Sequence, residues 1–312
     1  LNFANYRVSR ILPFMQPIFV PSPIEEIDAS GLQQESIGSG RGRISFTDKR
    51  DALYIFPRAD TEPYASRWIF NELIYGEIAK VCEAPFHPPV LFRAGGQVGL
   101  YRLRFGRRLN EIAGCFETHT IQPGATPANY NITQYHNGVM PEFFRRVAHS
   151  MKRLLVLDQQ VGMRDRTPDN LLCTQLSCGK IEEIRAIDHE HCLALDGDPG
   201  HRWHDGLKSE GSRWHPTQMS HFIELSESST TELLEIARDL KALLPMRVVS
   251  DIAVGLRSFI AERVAPQSTS ELGVHCERTL DLFGFLSNRL EDRVNDFCAC
   301  YAPFLKARGL NP

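Results

Sequence analysis

A chain of 312 residues with a formal net charge of −3 and a charged share of 23% carries no electrostatic surplus toward a polyanion, so nucleic acid is a weak candidate partner. An apolar share of 42% excludes extended disorder as the dominant state, and no run of about 18 apolar residues supports a membrane-spanning helix. The length exceeds that of the usual compact domain, which points to two lobes with a cleft between them. Eight cysteines without a C-x-x-C pair fit reduced thiols better than a disulfide framework, and the expected compartment is the cytoplasm.

Pro13, Pro17, Pro21 and Pro23 keep the lead-in, to residue 33, extended and turn-rich. Gly38-Ser39-Gly40-Arg41-Gly42 is a glycine-rich turn entering a β-prone run, and Ala52–Phe56 reads as the next strand. Between residues 67 and 83 the period becomes helical: Ile69, Leu73, Ile78 and Cys82 recur, Trp68, Phe70 and Ile74 widen the apolar face, and the helix stops before Pro85. Two strands, 88–92 and 97–103, are joined by Gly95-Gly96. The basic run Arg102-Leu103-Arg104-Phe105-Gly106-Arg107-Arg108 reads as a solvated strand and turn.

Thr, Asn, Pro and Gly concentrate in 114–140, where we place the boundary between a small β-rich lobe (1–120) and a larger, mainly helical lobe (121–312). A helix over 141–161 directs Phe144, Val147, Met151, Leu154, Leu155 and Leu157 to the core. Two short strands flank the Cys178-Gly179-Lys180 turn, and an irregular loop covers 196–216. Helices are expected at 229–244, 248–264 and 271–306. The fold class is α+β and bilobal.

Two segments carry the candidate chemistry: Arg164-Asp165-Arg166-Thr167-Pro168-Asp169-Asn170, directly after the 141–161 helix, and Ile184-Arg185-Ala186-Ile187-Asp188-His189. Asp165 and Asn170 stand five apart in a proline-containing loop, and Asp188 ends an apolar run. All three are oxygen donors, the kind a hard cation takes. Phosphoryl transfer needs such ligands beside a group that orients the acceptor hydroxyl. An Asp next to Pro is also a common turn device, so spacing alone leaves both interpretations open.

The two segments together resemble the catalytic loop of HipA-like kinases and, more distantly, that of phosphatidylinositol 3- and 4-kinases. Those families carry an Asp-Arg-His-x-x-Asn loop after a long helix, then a strand ending in Ile-Asp-His or Ile-Asp-Phe. The resemblance implies a protein-kinase-like fold that binds ATP and Mg²⁺. Asp165 is then the catalytic aspartate, Asn170 a catalytic-loop amide facing the metal, and Asp188 the Mg²⁺-binding carboxylate. Gly38, Ser39, Gly40 and Gly42 would cover the phosphates, where glycine lets backbone N–H groups approach an anion. Glu72, within Asn71-Glu72-Leu73-Ile74-Tyr75, would pair with a nucleotide-contacting lysine. Two positions depart from the pattern. Thr167 replaces the loop histidine, and Tyr54-Ile55-Phe56-Pro57-Arg58 offers Arg58 but no lysine, a guanidinium where an ammonium is expected.

The activity this implies is transfer of the γ-phosphate of ATP to a hydroxyl, with Ser or Thr of a protein as the expected acceptor and lipid or small-molecule hydroxyls left open. The alternative, from a different class, is a pseudokinase that binds nucleotide or a partner without transfer. Asp188-His189-Glu190-His191-Cys192 offers five potential ligands to a metal hydrolase, but alternate strand residues face opposite ways and cannot wrap one tetrahedral ion. His201, His204, His215 and His221 lie in or near the irregular loop with Trp203 and Trp214, where loop packing and acceptor contact are both open.

Overall fold

Helix α1, Tyr64–Val81, carries apolar residues around most of its circumference, and a helix of that kind needs cover on all sides. In the computed structural model it has that cover: Trp68, Phe70, Ile74, Tyr75 and Ile78 are fully buried. The structure describes residues 23–28, 30, 32–34, 43–47, 52–57, 64–109, 111, 116–120, 131–135, 146–163, 166–193, 208, 211–214 and 227–301. Helix α1 begins three residues before its expected start, and Glu83, in the left-handed region at φ 51°, turns the chain away after it.

A six-stranded sheet supplies part of that cover. Its strands are β1 (Glu25–Glu26), β2 (Gln33–Gln34), β3 (Arg43–Thr47), β4 (Ala52–Pro57), β5 (Val90–Ala94) and β6 (Gln97–Leu103), in the order β1-β5-β6-β4-β3-β2. All neighbours are antiparallel except β1 and β5. Gly95 and Gly96, at φ 56° and 82°, make the two-residue turn that both positive angles require. Leu91 and Leu100 join the core cluster around α1, whereas Phe92 and Tyr101 pack into a second, smaller cluster. This is strand alternation: β6 residues two apart share a face.

Residues 104–106 then lead to β7 (Arg107–Arg108), which pairs with β10 (Leu171–Gln175). Gly106 has φ +56°, and a Cβ there would collide with the Cys173 carbonyl, so glycine meets both a conformational and a steric demand. Strand β10 forms a hairpin with β11 (Ile181–Ala186), completing a three-stranded sheet in the order β11-β10-β7. Strands β8 (Phe116–Thr120) and β9 (Asn131–Tyr135) form a separate pair within the expected boundary region.

The remainder is helical: α2 (Ala148–Gln160), α3 (Glu227–Leu243), α4 (Met246–Arg263), α5 (Thr269–Asn288) and α6 (Leu290–Asp296). Helices α4 and α5 pack against α1. The single helix expected over 271–306 is in fact broken. Arg289, at φ −107° and ψ 8°, closes α5 by donating its N–H to the carbonyls of Leu286 and Ser287. After the break, Leu290, Val294 and Phe297 all enter the core, and a wide π-type turn follows at Phe297–Tyr301. Of the helix expected over 141–161, the part before residue 146 lies outside the described residues. No helix among the described residues is long and apolar enough to cross a membrane.

Candidate functional site

A buried guanidinium must have its donors met, and Arg166, with no exposed surface, shows where the site is organised. Its Nε and Nη2 fork onto the Asp158 carboxylate of α2 at 2.9 and 3.1 Å. Nη1 donates to the carbonyls of Ile187 at 3.0 Å and Asn170 at 3.4 Å. Nη2 also reaches the Tyr75 hydroxyl and His189 Nδ1, both at 3.3 Å. One cation thereby ties α1, α2, the turn before β10 and the segment after β11.

Asn170 and Asp188 are carried by the two ends of the β10–β11 hairpin. Pro168–Asn170 forms a single 3₁₀ turn, its N–H of Asn170 bonded to the Thr167 carbonyl at 3.1 Å. The Ile187 N–H then donates to the Asn170 carbonyl at 3.0 Å, and Leu171 pairs with Ala186. The amide and the carboxylate, 18 positions apart in sequence, thus stand on joined segments. Asp188 is partly exposed and sits in the left-handed region at φ 58°. That conformation is uncommon for a residue other than glycine, and neighbouring contacts must hold it.

Those contacts come from α1. Asn71 donates from its amide nitrogen to the carbonyls of Glu190 and Cys192, at 2.9 and 2.8 Å. Glu72, fully buried, accepts the His189 backbone N–H at 3.0 Å. Tyr75 stacks on the His189 ring at 3.8 Å between centroids, and its hydroxyl donates to Asp158. Burial and the cations of Arg166 and Arg102 hold the His189 imidazole well below its usual range. It is therefore neutral, with Nδ1 accepting from Arg166. Burial pushes the Tyr75 phenol up, and the Asp158 charge adds to that.

Glu72 holds an arginine of the large sheet. Its Oε2 is bonded to Arg102 of β6 at 2.7 Å, with side-chain exposures of 0% and 7%. Arg102 therefore does not belong to the solvated basic run: it shares a strand face with buried Leu100, while Arg104 and Arg107 are exposed. Asp165, Arg58 and the Gly38, Ser39, Gly40 and Gly42 turn lie outside the described residues, as do His201, His204, His215 and His221. Trp214 is buried against Phe297, and its backbone N–H donates to the Asp296 carboxylate. The Asp188–Cys192 run does not present one ligand set. His189 and Cys192 lie buried at α1, while Glu190 pairs with His191 at 3.2 Å.

Sequence reasoning passed over Arg166, Asp158, Tyr75, Arg102 and Asn71. One signal was available: Asp158-Gln159-Gln160 at the end of an apolar helix directly before the motif, all three buried. A groove of about 430 Å³ is lined by residues including Phe86, Arg146, Ser150 and Glu182, and Glu72, Asn170 and Asp188 are not among its lining.

The Asn71 clamp has a second layer with a pH signature. His275 of α5 donates from Nε2 to Asn71 Oδ1 at 2.8 Å, and burial, helped by the charges of Arg67 and Arg278, lowers its pKa from 6.5 to about 3. Between those values the unfolded chain binds the extra proton. Stability from His275 is therefore complete above about pH 6.5 and declines as pH falls, by up to ~1.4 kcal/mol per unit. His275→Gln keeps a donor toward Asn71 and is expected to flatten the pH dependence of urea unfolding below pH 6.5 by that slope. An unchanged slope would contradict the assignment.

No family model matches the chain, and no curated protein sequence does. Among solved structures, the crystal structure of the Helicobacter pylori proinflammatory kinase CtkA is similar over 88% of this chain and 99% of its own, at 12% identity and a TM-score of 0.49. HipA of Shewanella oneidensis MR-1, solved as a toxin–antitoxin complex with HipB and operator DNA, is similar over 90% of this chain and 67% of its own, also at 12% identity, with a TM-score of 0.32. Likenesses at these values assign no chemistry; the residues of the site have to do that.

Proposed function

We propose that this chain is an ATP- and Mg²⁺-dependent phosphotransferase of the HipA-like kind, passing the γ-phosphate to a hydroxyl, with Ser or Thr of a protein as the acceptor class. One observation carries this. Arg166 and the Ile187–Asn170 bond bring an amide-bearing turn and a partly exposed carboxylate in a left-handed backbone to adjoining positions at the ends of one hairpin. A buried arginine bonded to both ends of the hairpin keeps the two side chains in register, the kind of support that a site holding two ligands needs.

Asn170 and Asp188 would hold the metal, and their donors are oxygen, as Mg²⁺ requires. No group of three or more His, Cys, Asp or Glu side chains suited to a metal ion exists among the described residues. Mg²⁺ takes one or two protein ligands and completes its shell with water and substrate phosphates. Bound there, Mg²⁺ would neutralise charge on the phosphate oxygens. Asp165 would orient the acceptor hydroxyl and take its proton as the oxygen bonds to the γ-phosphorus and ADP leaves. The Gly38–Gly42 turn would cover the phosphates, with Arg58 as a candidate cation.

Incubation with ATP labelled in the γ-phosphate and Mg²⁺ is expected to label the chain itself or a protein added as acceptor. A second proposal, a nucleotide-binding module without transfer, draws on Glu72 being bonded to an arginine of another strand instead of a β4 lysine. Tight Mg-ATP binding with no labelled product would establish that alternative.

A further inference from the structure

Glu72 is where the large sheet, α1 and the Asp188 segment meet. On β6, alternation turns Arg102 toward α1 together with Leu100, and Arg102 stands directly across from Leu53 of β4. Cross-strand partners share a face, so this cation sits one strand over from the strand where the kinase pattern expects a lysine. Its Nη2 holds Glu72 Oε2 at 2.7 Å, and its Nε lies 3.4 Å from the His87 carbonyl. The other oxygen of Glu72 accepts the N–H of His189, the residue after Asp188.

We propose that Arg102 is a positioning residue for Asp188: by orienting the Glu72 carboxylate it fixes the His189 N–H, and with it the left-handed backbone that presents Asp188 to Mg-ATP. A buried ion pair is a poor source of stability compared with apolar packing of the same volume, and its better-attested use is to fix register. Here the register fixed is that of a carboxylate whose second oxygen accepts the His189 N–H. Arg102 thus acts through Glu72 and not on the phosphates.

This inference rests on the phosphotransferase proposal, and one calorimetric series separates the two. ATP is titrated into wild type, Arg102→Lys and the double variant Arg102→Gln/Glu72→Gln, each with and without Mg²⁺, below their unfolding temperatures. The double variant is expected to lose about tenfold of the affinity that Mg²⁺ adds in wild type, while ATP binding without metal stays within about twofold. Arg102→Lys, which keeps the charge but not the fork, is expected to fall between. Should the double variant be unfolded, Arg102→Lys alone carries the test. An unchanged Mg²⁺ gain in the variants would make the pair merely structural, and an equal loss with and without metal would make Arg102 a phosphate contact. Either result overturns the inference and leaves the phosphotransferase proposal standing. Wild type that binds no ATP in either condition removes both.

Discussion

Asp188→Asn is expected to abolish measurable phosphate transfer and to weaken Mg-ATP binding. Asparagine adopts the left-handed backbone at least as readily as aspartate, so the φ of 58° survives, and the change removes charge while sparing the fold. Asp165→Asn is the paired variant. If Asp165 orients the acceptor and takes its proton, transfer should fall by roughly 10²–10⁴ with Mg-ATP binding retained. Steady-state transfer rates and calorimetric affinities measured on both proteins decide the matter. Near-wild-type transfer in either one contradicts the role given to that residue, and equal loss of nucleotide binding in both contradicts the division of labour between them.

The second large effect is on stability. Arg166→Met leaves the buried Asp158 carboxylate without its fork and takes a donor from the Ile187 carbonyl. Breaking a buried ion pair from one side costs about 3–5 kcal/mol, and urea denaturation should show a loss of that size. Arg166→Lys should recover only part of it, since a single ammonium cannot span a carboxylate and the carbonyls of two chain segments. The double change Arg166→Met/Asp158→Leu removes the orphaned charge and is expected to regain most of the stability without regaining transfer. A loss below about 1 kcal/mol for Arg166→Met would mean that the guanidinium behaves as a surface charge, and the organising role would fail.

The features legible in sequence are those that local period and turn chemistry write. The helix over Ile69–Cys82, the Gly95-Gly96 hairpin, the β10–β11 hairpin and the three C-terminal helical stretches all fall near their expected places. The turn at Asn170 and the strand that ends before Asp188 were legible as well, because Pro168 and the apolar run mark them. Burial of charge was not legible. Arg102, in a run of four arginines, reads as solvent-facing until α1 covers that face of β6 and brings Glu72, 30 residues earlier, against it. Arg166 looks like one more loop arginine, although its carboxylate lies only eight residues before it. Helix α2 has to end and the chain has to reverse before the two can meet. The break at Arg289 was hidden for a related reason: the apolar period continues across it, and only the core claimed by Leu290, Val294 and Phe297 re-aims the helix.

The most direct measurement is the structure of this protein crystallised with Mg²⁺ and a non-hydrolysable ATP analogue. An Asn170 Oδ1 and an Asp188 carboxylate oxygen are expected at about 2.0–2.1 Å from a metal that also contacts the phosphates, with Glu72 still bridging Arg102 and the His189 N–H. Nucleotide bound away from these two residues, or a metal held without either of them, would contradict the account.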